Sequence, residues 1–153
     1  MTTSYGADFV IWSQEQAKLL RAGQLTQLDI EHVADEIEAI GFHERRELKT
    51  TMAQLLRLLL LWRASSGERA QTYAGEITYY QLQVISIQDD SPSLRSYLVE
   101  QFPAVKALVA EQLGDQIAAG LDPALICQAL SEWSLEEVLQ VPWKSNSRNR
   151  AQE

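Results

Sequence analysis

The chain has 153 residues, of which 46% are hydrophobic and 22% charged, with only 7 Gly and 4 Pro; that composition excludes the disordered, collagenous and low-complexity classes. With 21 acidic against 13 basic residues the net charge is −8, which repels phosphate backbones and anionic bilayers, so neither nucleic acid nor a membrane is an expected partner. Cys127 is the only cysteine, which excludes an intrachain disulfide and a cysteine-based zinc site and suits a reducing cytoplasm.

The length fits one ordinary domain, expected over 1–142, with the small polar residues 143–153 read as a disordered tail. The first 25 residues carry Asp8 and Glu15 through their middle and do not read as a signal peptide. The longest uncharged apolar run, Leu58 to Trp62, falls far short of the ~20 residues of a membrane span.

Spacing near 3.6 predicts helices throughout. The first is expected from Asp8 to Gly23, carrying Phe9, Trp12, Leu19 and Leu20 inward and ending at a glycine suited to the left-handed turn past a helix. After a turn at 24–28, Asp29 is placed to cap the second helix, with Leu28 and Val33 at the spacing of a hydrophobic staple. This element, 29–62, is about 50 Å long at 1.5 Å per residue. Ile30, Val33, Ile37 and Ile40 form one stripe that resumes at Leu48, Met52, Leu55, Leu59 and Trp62. Gly41 weakens the helix between the two halves, yet a continuous or mildly bent helix is the better reading. From Leu55 to Trp62 apolar side chains project in almost every direction, so this end must be buried all round.

Residues 64–69 read as a loop. The segment ITYYQLQVISI has the β-branched and aromatic content of a strand, but Tyr73, Ile77, Tyr80, Val84 and Ile87 are spaced 4, 3, 4 and 3 and predict a third helix. Asp90, Ser91 and Pro92 then signal the start of a fourth, with Leu94, Leu98, Val105, Leu108, Val109, Leu113 and Ile117 inward and Pro103 expected to kink it. Asp122 and Pro123 open a short helix with Ile126 and Leu130. Ser134 and Glu137 have the spacing of a capping box, stapled by Trp133 and Val138. The expected fold is therefore all-α: a helical bundle of four main helices with a long second helix and a short C-terminal helical addition.

His32 and Glu36 stand four apart, as do His43 and Glu47, a spacing that serves surface pairing. The two histidines are about 16 Å apart along the axis and cannot share one metal. Glu31, Asp35, Glu36 and Glu38 lie early in the helix, where carboxylates stabilise its positive end. His32, Asp35 and Glu36 are the only metal candidates of this set, and no catalytic or cofactor-binding residue is assigned. Cys127 has no neighbouring base and reads as a buried small hydrophobe. A phosphate loop, a nucleophile elbow and zinc spacing are all missing from the sequence.

The ordered segments YGADFVIW, LLRAG, LDIEHVADEIEAIG with ERREL, LLRLLLLW, DSPSLR and WSLEEVL together resemble the bacterial domain of unknown function family 29, rich in cyanobacterial members. The resemblance runs from Tyr5 to about Pro142 and implies an all-helical fold, with no activity or cofactor to carry over. The chain departs from that pattern at Leu58 and Leu61, where a His and a Lys are expected. It departs again at Tyr73, Tyr80 and Gln81, where an aromatic followed by Gln-Arg is usual.

The expected function is that of a non-enzymatic protein-interaction module or small structural or regulatory helical protein, cytoplasmic and without a cofactor. Its expected partner is another protein or a second copy, with Leu58, Leu61 and Trp62 as the interface and a homodimer as one form. The alternatives are a metal-dependent or carboxylate enzyme built on the acidic and histidine cluster of the second helix, and an antitoxin-like inhibitory partner with an acidic face.

Overall fold

A computed structural model describes residues 4–64, 68–114 and 123–140. Among these the chain is helical, with no strand: α1 is Phe9–Arg21, a 3₁₀ turn spans Leu25–Gln27, and α2 is Ile30–Ala64, followed by α3 (Glu68–Asp90), α4 (Leu94–Gly114), α5 (Pro123–Glu132) and α6 (Leu135–Val138). The chain forms two compact units, Met1–Glu44 and Arg45–Glu153.

In the first unit, the Asp8 carboxylate caps α1 by accepting from the Ile11 amide, and Gly23 ends it with φ at +68°, where a Cβ would be strained. Asp29 caps α2, accepting from the His32 amide at 3.4 Å. Only Trp12 and Gln16 of this unit's described residues are buried. The inward set expected for α1 is corrected accordingly: Trp12 is buried and Leu19 half-buried, but Phe9 and Leu20 are exposed. Two short helical segments present too little surface to each other to cover four large side chains.

α2 runs unbroken through Gly41. Beyond it, in the second unit, Leu48, Met52, Leu55, Leu56, Leu58, Leu59, Leu60 and Trp62 are all buried and Leu61 is half-buried, which makes this end of α2 the central member of the core. α3 settles the ambiguous segment as helix, because Ile77 and Val84 are buried while Tyr73, Tyr80 and Ile87 pack against the same core. α4 continues through Pro103 and buries Leu94, Leu98, Phe102, Val105, Val109 and Leu113, whereas Leu108, expected inward, is exposed.

α5 contributes Ile126, Ala129 and Leu130. Cys127, on the same helix, is exposed rather than buried, since it falls between the inward positions of that 3.6-residue period. The capping box forms as expected, with Ser134 and Glu137 bonding reciprocally and Val138 buried beneath them. The Gln81 amide, fully buried on α3, donates to the Val138 and Gln140 carbonyls at 2.8 and 3.0 Å, fastening the C-terminal turn to the bundle. Ile117, Asp122, Trp143 and the polar tail lie outside the described residues.

Candidate functional site

Trp12, Gln16 and His32 gather around Asp29. Its carboxylate accepts from the Trp12 indole N–H at 3.3 Å and from His32 Nδ1 at 2.8 and 2.9 Å, while its backbone N–H donates to the buried Gln16 side chain at 2.8 Å. Because a carboxylate only accepts, Nδ1 must carry the proton. The Tyr5 ring stacks on the His32 ring, centroids 4.3 Å apart and planes 19° from parallel, and its edge meets Trp12 at 4.9 Å. The Tyr5 hydroxyl donates to Glu36 at 2.5 Å.

The electrostatics follow from those contacts. The hydrogen bond to Asp29 raises the His32 pKa above its ordinary value, and the same bond lowers that of Asp29. Donation to Glu36 raises the Tyr5 hydroxyl.

The surface pair expected between His32 and Glu36 is therefore replaced. His32 turns back to Asp29, three residues before it, and Glu36 takes the Tyr5 hydroxyl. Asp35 is exposed and takes part in neither bond, although it lies close enough to act electrostatically on both His32 and Tyr5. Among the described residues no three or more His, Cys, Asp or Glu side chains gather as a metal would require, so His32, Asp35 and Glu36 do not converge. The cluster instead clasps the segment before α1, α1 itself and the start of α2.

Gln16 and Tyr5 were not legible as members. The signals for them were a polar residue four positions after Trp12 on one helix face and an aromatic shortly before the cap.

The second feature of this unit is apolar. Ile30, Ile37 and Ile40 are 64%, 63% and 61% exposed, and Val33 between them is half-buried. At 100° per residue the four fall within roughly 80° of one another, so they form a single stripe that is exposed at its three isoleucines. By contrast the residues expected as an interface lie elsewhere: Leu58 and Trp62 are packed in the core of the second unit, and only Leu61 keeps partial exposure.

The profile of one protein family, described as Domain of unknown function DUF29, matches residues 4–143. The chain belongs to the DUF29 family. Its match takes in both the clasp and the stripe, and the family carries no assigned activity. No curated protein and no solved structure matched the chain. No helix among the described residues of this DUF29 chain is long and apolar enough to cross a membrane.

Proposed function

We propose that the chain is a non-enzymatic protein-interaction module that works through its first unit, in the cytoplasm. The observation that carries this reading is the exposed isoleucine stripe of α2. The stripe has the spacing of a core-facing helix surface, yet three of its members are more than half exposed. Burying a whole Ile side chain is worth roughly 1.5 to 3 kcal/mol, so about 4 kcal/mol of transfer free energy is available to a partner that covers these three. Contiguous apolar surface of this kind marks interaction sites. Leu61, half-buried on the second unit, is a separate candidate contact and not part of this surface.

A photoreactive amino acid placed at Ile37 or Ile40 of the full chain in its native host tests the proposal. Ile37 and Ile40 are expected to give one discrete adduct, lost when Ile30 is changed to Glu. An adduct of twice the chain mass identifies a homodimer. Absence of any discrete adduct from both isoleucines contradicts the proposal.

A further inference from the structure

We propose that the occupant of the stripe is a basic amphipathic helix of a partner protein, an inference that rests on the interaction reading above. From Ile30 to Ile40 the stripe runs about 15 Å along α2, longer than the roughly 10.5 Å over which a docked helix sets apolar anchors at i, i+3 and i+7. Gly41 adjoins this face, and nothing stands within 4 Å of where its Cβ would be, so an approaching helix meets no side chain there.

Charge selects among the helices that fit. Residues 29–44 contain six acidic side chains and no Lys or Arg. The first unit as a whole has eight acidic against two basic residues, a net of −6. Glu31 and Glu38 each follow a stripe isoleucine by one position, which sets them along one rim of the stripe at roughly 100° round the helix. Both are exposed and neither makes an ion pair among the described residues. Lysine or arginine flanking the partner's apolar face would meet these carboxylates, speeding encounter and fixing register. A second copy would instead bring one −6 unit against another, with acidic rim facing acidic rim.

The test titrates the full chain into a labelled synthetic helix of Leu and Lys, about 18 residues long so as to exceed the stripe, and into its Leu and Glu counterpart. Fluorescence anisotropy is read at low and at high salt. The Leu/Lys helix is expected to bind at one to one, at least about tenfold more tightly than the Leu/Glu helix, and to weaken as salt rises. Ile37→Glu should abolish binding with helix content unchanged by circular dichroism. Glu31→Lys combined with Glu38→Lys should shift preference toward the Leu/Glu helix.

Equal affinity for the two helices overturns the proposal, as does Leu/Lys binding that survives both Ile37→Glu and Ile40→Glu. Sedimentation showing a dimer that Ile37→Glu dissociates also overturns it, while leaving the interaction reading intact. Failure of both helices to bind a monomeric chain overturns the basic-helix assignment, and the photo-crosslinks at Ile37 and Ile40 then decide separately whether any partner uses the stripe.

Discussion

His32 Nδ1 lies 2.8 and 2.9 Å from the two oxygens of the Asp29 carboxylate, which is also the cap of the helix that carries His32. One bond thus joins a helix start to a titratable ring, and it makes the first unit sensitive to pH. The imidazolium is favoured on folding, so its contribution is complete below the ordinary histidine value of 6.5 and is lost as pH rises through the higher folded value. The Asp29 carboxylate is favoured too, so its contribution is complete above the ordinary 3.8 and is lost as pH falls through the lower folded value. The ion pair is expected to be strongest between about pH 4 and 6.5. An NMR titration of the imidazole carbons should place the His32 midpoint above 6.5 and move it down in Asp29→Asn. A wild-type midpoint at or below 6.5 contradicts the pairing.

Two glycines should respond to alanine with opposite signs. Gly23 has φ at +68°, so Gly23→Ala is expected to destabilise the first unit by about 1 kcal/mol. Gly41 lies inside α2 with open space at its Cβ position, so Gly41→Ala should stabilise by up to about 1 kcal/mol. Urea unfolding followed by circular dichroism reads both changes.

The two halves of the α2 stripe should differ in the same assay. Leu59 is fully buried, and Leu59→Ala is expected to cost about 2 to 5 kcal/mol through lost transfer energy and the cavity left behind. Ile37 is exposed, and Ile37→Ala should change the isolated chain by less than about 0.5 kcal/mol.

Gln81 tests how the C-terminal turn is held. Gln81→Ala removes both bonds to the Val138 and Gln140 carbonyls, at an expected cost of about 2 kcal/mol. Faster amide exchange confined to 134–140 would show that the turn, rather than the whole bundle, has been released.

The local signals in the sequence were strong where a side chain acts on its own backbone. Asp8, Gly23, Asp29 and the Ser134–Glu137 box mark element ends through hydrogen bonds or φ preferences that span only a few residues, and each is found in place. The all-round apolar run of α2 likewise implied burial on every side. Long-range choices were less legible. Periodicity says that Ile30, Ile37 and Ile40 share a face, but not whether anything covers it; the same pattern is buried from Leu48 onward and open before Glu44. His32 had three carboxylates within reach along the helix, at Asp29, Asp35 and Glu36; it bonds Asp29, while Glu36 takes the hydroxyl of Tyr5, 31 positions earlier, a pairing that no helical spacing announces.

Cysteine footprinting reads the state of the stripe directly. With Cys127, which is exposed, replaced by Ser, single cysteines at positions 30, 37 and 40 are labelled with a maleimide in the purified chain and in native host cells, with position 42 as a control roughly 140° round the helix from 37. The three stripe positions should react rapidly in dilute purified protein and be protected in cells, while position 42 reacts alike in both. Equal labelling of positions 37 and 42 in cells would contradict the stripe as a docking surface.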